Sequence, residues 1–257
     1  MEIYLYKQGL EGVLDIEQYC EDNNIDAEEV KWLSCHFNEI TEIKGLDKLV
    51  NLEMLFCHNN QLTELDLSSL FNLKEVYCYI NNITEIKGLN NLVNLRLLNC
   101  NDNKLKQLRD IDKLESLLEL YCSYNQLSEL DVGKLVYLSS LYCPNNQLVK
   151  LDVTNLNNLD NLNCSKNKLL EIKGLNELIN LRWLNDEKYK KPVIDLIKKQ
   201  REAYGMTQKE FAVALGLSET NGDRYIREVE SGRKKPSGLF IRCLELFVEN
   251  EDLKNGL

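Results

Sequence analysis

Apolar residues recur at a fixed spacing over most of the chain. The pattern LxxLxCxxNx[LI] occurs seven times, and only Val30 and Val76 replace one of its leucines. Each central cysteine lies 21 or 22 residues after the one before it, and the seven are Cys35, Cys57, Cys78, Cys100, Cys122, Cys143 and Cys164. A repeat of this length with these apolar positions predicts a solenoid of stacked coils.

The centre of each copy predicts a short β-strand that pairs in parallel with the strands of adjacent coils, about 4.8 Å away. The inward positions of the coils must stack on one another, because a single coil cannot bury its own apolar face. In one coil these positions are Leu52, Leu55, Cys57, Asn60 and Leu62. A coil this short has no room for a long helix, so the return segment is predicted to be 3₁₀-helical or extended.

An asparagine follows each cysteine after three residues. We expect its amide to satisfy backbone groups that are left unpaired where the chain turns out of the sheet, since buried polar groups need partners. The seven residues, called the asparagine column below, are Asn38, Asn60, Asn81, Asn103, Asn125, Asn146 and Asn167.

The repeat closely resembles the leucine-rich repeat family, and the resemblance covers about 150 residues. The connections TEIKGLxxLxNL at 41–52 and 84–95 resemble the bacterial, internalin-like type. This resemblance implies a fold of class α/β, with parallel strands on a concave face and 3₁₀ or extended segments on the convex side. The solenoid is expected to span residues 31–188.

Seven of the nine cysteines occupy the inward column, where free cysteine acts as a small buried hydrophobe. No CxxC and no close Cys/His spacing typical of zinc sites occurs in the sequence. We therefore expect reduced structural thiols and neither a metal nor another cofactor.

Residues 1–30 are expected to cap the solenoid, whose first coil would otherwise expose its core. Two forms stay open for this cap. Leu14 to Asp22 has the pattern of an amphipathic helix, whereas Cys20, Asn23 and Ile25 imitate the cysteine, asparagine and isoleucine of a degenerate coil.

Side chains alternate along a strand, so the residues that flank the inward positions should face outward on the concave sheet. These outward positions hold nine of the 20 aromatic residues. Packing between strands would account for rings in a sheet, but exposed rings on one face favour a protein-binding surface. The predicted protein-binding residues are Trp32, His36, Phe37, Met54, Phe56, His58, Tyr77, Tyr79, Tyr121, Tyr124, Tyr142 and Trp183.

His36 and His58 occupy the same outward position in adjacent coils, roughly 5 Å apart by strand spacing. A metal site would need further ligands, and no carboxylate or outward cysteine joins the pair. No serine or cysteine has a base oriented by a third group either. The sequence therefore predicts no enzyme activity.

The apolar period changes to that of helices after a charged connector, so a second domain is expected at residues 189–257. A first helix is predicted from Pro192 to Gly205. Thr207 to Glu210 forms a capping box, which predicts a helix start there, and Gly216 is expected to end that helix. A third helix should include 224–231, and a fourth should span about 237–250.

The segments TQKEFAVALGLS and ESGRKKP resemble the Cro/repressor-type helix-turn-helix family over about 60 residues. Ala212 and Gly216 stand where that motif needs a small residue and a tight turn. Residues 218–230 are about four residues longer than the usual turn plus recognition helix, so SETNGD either lengthens the turn or adds about one helical turn.

The resemblance implies duplex DNA binding. Gln208, Arg233, Lys234 and Lys235 would contact phosphates. The second helix of the motif enters the major groove, and the candidates for base contacts are Asn221, Asp223, Arg224, Tyr225 and Arg227.

The N-terminal and C-terminal parts of the chain differ in net charge. Residues 1–188 hold 18 Lys and Arg against 30 Asp and Glu, whereas residues 189–257 hold 13 against 11. Phosphate would repel the first part, so DNA should bind the second. With no signal peptide or membrane span in the sequence, we expect a cytoplasmic protein of a bacterium or phage.

The sequence thus predicts a regulator or adaptor that binds a protein on its concave face and DNA through its C-terminal domain. The alternative is an interaction factor that binds no DNA, such as a phage-encoded inhibitor of a host defence protein. A homodimer is compatible with the first reading, because dimeric helix-turn-helix proteins bind two-fold sites. The identity of the partner and of the operator stays open.

Overall fold

A computed structural model describes residues 1–175, 178, 180–181, 183–185, 198, 201–202, 205–215, 217 and 222–231. Contacts divide the chain into two compact units, Met1–Leu178 and Ile179–Leu257. Each unit is described by itself below.

Short parallel strands form one sheet of nine in the order β1-β3-β5-β7-β9-β10-β11-β13-β15. They are β1 (Glu2–Tyr4), β3 (Trp32–Ser34), β5 (Met54–Phe56), β7 (Glu75–Tyr77), β9 (Leu97–Asn99), β10 (Glu119–Tyr121), β11 (Ser140–Tyr142), β13 (Asn161–Asn163) and β15 (Trp183–Asn185). The register aligns Leu55 with Leu33 and with Val76, so equivalent positions of successive coils lie side by side. The predicted strands and their parallel pairing are confirmed, and the fold is that of leucine-rich repeats.

The return segments are extended or 3₁₀-helical, as predicted. Three pairs of parallel strands line the other side: β2 (Glu11–Asp15) with β4 (Glu39–Lys44), β6 (Glu64–Asp66) with β8 (Glu85–Lys87), and β12 (Lys150–Asp152) with β14 (Glu171–Lys173). The 3₁₀ turns are Ala27–Glu29, Leu46–Lys48, Leu89–Asn91 and Ile111–Lys113.

The seven cysteines of the repeat are fully buried between the leucines of adjacent coils. Burial raises the pKa of the Cys35 and Cys100 thiols to about 12. The eight cysteines within the described residues are free thiols, and those of the repeat fill the core as neutral groups.

The asparagine column joins each coil to the preceding one. The amide nitrogen of Asn103 donates to the carbonyl oxygens of Cys78 (3.0 Å) and Cys100 (3.2 Å). Its amide oxygen accepts from the backbone N–H of Ile83 at 2.9 Å. The same three bonds recur at the other members of the column. One side chain therefore closes its own turn and fixes the turn of its neighbour.

The residue before each asparagine has left-handed backbone geometry, which non-glycine residues adopt at some energetic cost. The φ angles lie between 52° and 55° and include that of the β-branched Ile80. The affected residues are Phe37, Asn59, Ile80, Asp102, Tyr124, Asn145 and Lys166. The buried amide bonds of the next residue offset this cost at every coil.

The N-terminal segment supplies both a rung of the sheet and a helix. Helix α1 (Ile16–Asp22) begins after Asp15, whose side chain accepts from the Gln18 N–H. The helical form of the cap is therefore correct and the degenerate coil at Cys20 is wrong, because Cys20 lies in this helix and is buried.

The additional rung lies earlier in the chain. Strand β1 pairs in register with β3, and Asn38 donates to the Leu5 carbonyl as the later asparagines do to cysteine carbonyls. Lys7 has the left-handed geometry of the repeat, with φ 52°. Leu5 thus occupies a cysteine position of the pattern.

The described residues of the C-terminal unit include the helices α2 (Gln208–Ala214) and α3 (Gly222–Glu230). The capping box is confirmed, since Thr207 Oγ1 accepts from the Glu210 N–H and Glu210 accepts from the Thr207 N–H. The buried residues between the helices are Phe211, Ala212, Leu215, Ile226 and Val229. Most of the predicted first helix, Gly216 and all of the predicted fourth helix lie outside the described residues.

Removal of one member of the asparagine column should destabilise the solenoid strongly. Asn103→Ala leaves the buried N–H of Ile83 without its partner, which costs about 1–3 kcal/mol. It also removes one of two amide donors from the carbonyls of Cys78 and Cys100, which keep Asn81 and Asn125, and each lost hydrogen bond contributes about 0.5–1.5 kcal/mol. We expect the free energy of unfolding to fall by about 3 kcal/mol or more in urea denaturation. The control is Asn94→Ala, whose exposed amide makes one long bond to the Phe71 carbonyl. Equal losses for the two variants would contradict this role.

Candidate functional site

Rings stack on the outer side of the sheet across its first four strands. The centroids of Tyr6 and His36 lie 4.5 Å apart, those of His36 and His58 4.2 Å, and those of His58 and Tyr79 4.2 Å. These four residues, here called the histidine stack, come from four successive rungs. Strand spacing alone therefore brings equivalent rings into contact.

A second stack runs beside the first. The indole of Trp32 lies 4.9 Å from the Phe56 ring, which lies 4.7 Å from the Tyr77 ring at an interplanar angle of 7°. Further along the sheet, Tyr121 stacks on Tyr142 at 5.1 Å. Such ring pairs contribute about 0.5–1.5 kcal/mol each. The rings therefore face outward and also stack between strands, and such stacking was the alternative explanation for their presence in the sheet.

The outward residues differ in exposure. Phe37 and Tyr124 are exposed, at 45% and 54%. Eight of the predicted residues are half-buried: Trp32, His36, Met54, Phe56, Tyr77, Tyr79, Tyr121 and Tyr142. Trp183 lies in β15, and its side chain is outside the described part of the chain.

The prediction that the His58 ring is accessible is wrong, since only 6% of the residue is exposed. The reason is its position in the middle of the histidine stack, where His36 and Tyr79 cover its two faces. Its neighbours, rather than His58 itself, therefore offer the accessible surface.

Tyr6 was missed by the sequence reasoning. It begins the histidine stack and is 42% exposed. The usable signal was the match between EIYLYKQGL at residues 2–10 and WLSCHFNEI at residues 32–40, where Leu5 replaces the cysteine and Gln8 the asparagine.

Both histidines of the stack favour the neutral form. Burial lowers the pKa of His36. Burial, followed by the nearby charge of His36, lowers the pKa of His58 to about 4. The Ser34 hydroxyl lies 2.9 Å from His36 Nδ1. Both imidazoles are therefore uncharged near neutral pH.

Two glutamate–tyrosine pairs lie on the sheet face. The Tyr77 hydroxyl donates to the Glu75 carboxylate at 2.9 Å, and the Tyr121 hydroxyl donates to that of Glu119 at 2.6 Å. Burial and the adjacent Glu75 raise the pKa of Tyr77 to about 12, and the same causes raise the pKa of Tyr121. Both hydroxyls thus remain protonated donors.

Within the described residues, no three His, Cys, Asp or Glu side chains are grouped so as to hold a metal ion. The expectation that the chain needs no metal or cofactor stays a prediction. No helix in the described ranges is long and apolar enough to span a membrane.

Close approach of α2 and α3 builds the second candidate surface. A Cβ atom on Gly222 would lie 2.9 Å from that of Ala212 and 3.1 Å from that of Leu217, so both small residues are required here. Seven residues separate the end of α2 at Ala214 from the start of α3 at Gly222. Of the segment SETNGD, Gly222 and Asp223 are described and belong to α3, whereas residues 218–221 lie outside the described residues.

A half-buried ion pair ties this unit together. Arg201 Nε lies 2.7 Å from Glu230 Oε1, and Arg201 also donates to the Met206 carbonyl. The Gln208 amide, predicted to contact a phosphate, donates to Glu230 Oε2 at 2.7 Å. Its amide nitrogen is therefore engaged within the protein.

The predicted base-contacting arginines are exposed and paired along α3. Arg224 bonds to Glu228 at 2.9 Å and Arg227 to Asp223 at 3.2 Å, each one helical turn apart. Tyr225 is half-buried and packs against the core of the unit. Asn221, Arg233, Lys234 and Lys235 lie outside the described residues. Both arginines would have to exchange an intrahelical partner for DNA.

The lowered pKa of His58 predicts a pH-dependent stability. The unfolded chain binds a proton near pH 6.5 and the folded protein only near pH 4, so the free energy of unfolding should fall as the pH drops from 6.5 to 4. We expect a slope of about 1 kcal/mol per pH unit, close to the limit for one group. His58→Phe keeps a ring in the stack and should flatten this slope in urea denaturation at several pH values. The same slope in both proteins would contradict the assignment.

Comparison with known families matches both parts of the chain. The family of leucine-rich repeats (2 copies) matches residues 28–69, and the family described as helix-turn-helix matches residues 197–242. Over 60 residues the chain is 48% identical to the type II methyltransferase M.SsoII of Shigella sonnei and 45% identical to M1.ScrFI of Lactococcus lactis. These matches cover 23% of this chain but only 16% and 15% of the methyltransferases, and they fall in the helix-turn-helix region.

Solved structures share the solenoid fold. An internalin C2 from Listeria monocytogenes is 23% identical with a TM-score of 0.51, over 62% of this chain and 82% of its own. A leucine-rich repeat protein of Leptospira interrogans is 25% identical with a TM-score of 0.52, over 66% of this chain and 53% of its own. The leucine-rich repeat domain of APL1B has a TM-score of 0.55 at 24% identity, over 66% and 50%. The chain thus has a leucine-rich-repeat solenoid fold, which it shares with an internalin, and a C-terminal segment that matches the helix-turn-helix family.

Proposed function

We propose that this protein is a DNA-binding regulator or adaptor whose C-terminal domain binds duplex DNA and whose sheet face binds a protein. The proposed DNA binding rests on the close pair of helices α2 and α3. This pair has a capping box and a tight Gly222–Ala212 contact, and it lies inside the segment that matches the helix-turn-helix family. A helix-turn-helix places its second helix in the major groove. The proposal assigns the chain no catalytic step.

Charge supports this division of labour. The solenoid region has 12 more acidic than basic residues, whereas residues 189–257 have two more basic than acidic ones. DNA binding depends on neutralising phosphates with Lys and Arg. The acidic repeats are therefore assigned to a protein partner and the C-terminal domain to DNA.

The outer sheet face supports the protein-binding part. Aromatic rings are favoured anchors at interfaces, since they supply a large contact area at low entropic cost. Trp32, Phe56, Tyr77 and Tyr121 are half-buried in their stacks, so they are held in place before a partner arrives. A preordered surface of this kind loses little entropy on binding.

The DNA assignment predicts two distinct effects on binding of the full chain to a randomised duplex pool. Replacing Arg233, Lys234 and Lys235 with Ala should weaken binding to all sequences and reduce the steepness of the salt dependence by up to about 0.9 per lost phosphate contact. Replacing Arg224 and Arg227 with Ala should instead erode sequence preference, by about 1–3 kcal/mol per lost base contact. Mobility shift at low and moderate salt, followed by sequencing of the bound pool, measures both.

The matched control for charge is Lys104→Ala, Lys106→Ala and Lys166→Ala, which removes three exposed solenoid cations. We expect this variant to bind duplexes at least as well as the parent. If the full chain retains no duplex even at low salt, the C-terminal domain is a docking module and the protein-inhibitor alternative replaces the DNA assignment.

The protein-binding assignment predicts loss of capture without loss of fold. Replacing Phe56, Tyr77 and Tyr121 with Ser should abolish retention of the partner in a tandem pull-down, because the stacked rings are removed from the sheet face. Loss of one such hot-spot ring costs 2 kcal/mol or more, on the order of 30-fold in affinity.

The control replaces Phe71, Val93 and Tyr137 with Ser. These residues are more exposed than the half-buried rings of the sheet face, at 54%, 57% and 60%, and they lie in the return segments. If the sheet-face variant still retains the partner and the control variant does not, the interface lies on the return segments and the sheet-face assignment is wrong.

A further inference from the structure

Lysines of the same or a neighbouring coil form ion pairs with carboxylates at several positions of the solenoid. Glu53 pairs with Lys31 and Lys74, and Asp112 pairs with Lys113 and Lys134. These lysines hold the pKa of both acids below their ordinary values. The repeat thus places a cation beside an acid in several of its coils.

The main sheet departs from this rule. The sequences of its nine strands contain three acidic residues, Glu2, Glu75 and Glu119, and no lysine or arginine. Among the described residues, Glu75 and Glu119 have no ion-pair partner, and their bonds are to tyrosine hydroxyls. A carboxylate offers about four acceptor positions, so most of the capacity of each group remains unused.

These two glutamates flank a single neutral strand. The register aligns Glu75 with Leu97 and Leu97 with Glu119, and it aligns Tyr77 with Asn99 and Asn99 with Tyr121. Two strand spacings separate the glutamates, which is about 10 Å between their backbones. The result is a symmetric site with a carboxylate and a ring on each side and Leu97 and Asn99 as its floor.

We propose that Glu75 and Glu119 bind an arginine side chain of the protein partner, with its guanidinium between Tyr77 and Tyr121 over Leu97 and Asn99. This inference rests on the proposed function of the sheet face and names the partner's chemistry. The partner segment presents one arginine to this site and apolar side chains to Trp32, Phe56 and the histidine stack.

Arginine fits this site better than lysine does. The planar guanidinium has five N–H donors, which lets it meet two carboxylates at once, and its faces stack on aromatic rings. A lysine is a single point charge on a flexible stem. Nucleic acid is disfavoured, because its phosphates would face two carboxylates with no cation in the surrounding strands.

The test selects short random peptides, displayed on phage, for binding to the full-length protein. We expect arginine to be enriched in the selected pool relative to the starting pool. Replacement of that arginine with citrulline, which keeps the shape and removes the charge, should weaken binding about tenfold or more, since a hydrogen bond to a charged group contributes about 1.5–3 kcal/mol.

Protein variants locate the site. Glu75→Gln and Glu119→Gln should each weaken the selected peptide about tenfold, and the double variant should weaken it further. Glu85→Gln is the matched control, because it removes one exposed carboxylate from β8 in the return segments and should leave the affinity unchanged. Equal thermal unfolding midpoints of the four variants establish that the fold is intact.

The outcomes separate this inference from the function on which it rests. Peptides that depend on Phe56 but show no arginine enrichment, tolerate citrulline or ignore Glu75→Gln and Glu119→Gln overturn the arginine site and leave the sheet face as an interface. Peptides indifferent to Phe56→Ser as well as to both glutamates overturn the two together, and so does a selection that yields no peptide above background.

Discussion

The solenoid depends on one hydrogen-bonded arrangement that is repeated at each coil. A buried asparagine amide bonds to a carbonyl of its own coil and to a carbonyl and an N–H of the preceding coil. The chain has just left a strand at this point, through a left-handed residue that is unfavourable on its own. The leucines and cysteines supply burial, but the amides determine where each coil turns, and this keeps successive strands in register.

The register has a direct consequence for function. With every inward position occupied by the core, the outward positions of nine parallel strands lie side by side. Aromatic residues at equivalent positions therefore stack, and the glutamates two residues before Tyr77 and Tyr121 receive their hydroxyls. The face combines neutral stacked rings with two carboxylates that lack a cation from the protein. We infer that this face is suited to a cationic and apolar protein segment. The close pair α2–α3 is instead proposed to bind DNA, whose phosphates are anionic.

Much of this could be predicted from the sequence because the repeat is a local pattern. The positions of Cys100 and Asn103 within one coil are enough to assign the strand, the inward side and the turn. The capping box at Thr207 and Glu210 is likewise local. Predictions failed where the outcome depended on neighbours in space. His58 points outward as expected, yet the rings on both sides bury it.

The rung at the N-terminus was hidden for a different reason. Leu5 and Gln8 replace the two residues that define the repeat, so the match survives only in the apolar spacing. The Glu75–Tyr77 and Glu119–Tyr121 pairs were present in the outward columns, but their hydrogen bonds depend on side-chain rotamers that no periodicity indicates. The tight contact of Gly222 with Ala212 is likewise a property of the packed helices and not of either segment alone.

Hydrogen–deuterium exchange of the intact protein tests the central structural claim most directly. The backbone amides of Ile40, Leu62, Ile83, Leu105 and Leu127 each donate to an asparagine of the next coil. If these bonds hold the coils in register, the five amides will exchange as slowly as the amides of Cys57, Cys78 and Cys100, which follow the strands directly and donate to the neighbouring strand, through global opening of the solenoid. Exchange of the five amides at the rate of exposed loops, with the cysteine amides still protected, would show that the turns open independently and would contradict the account.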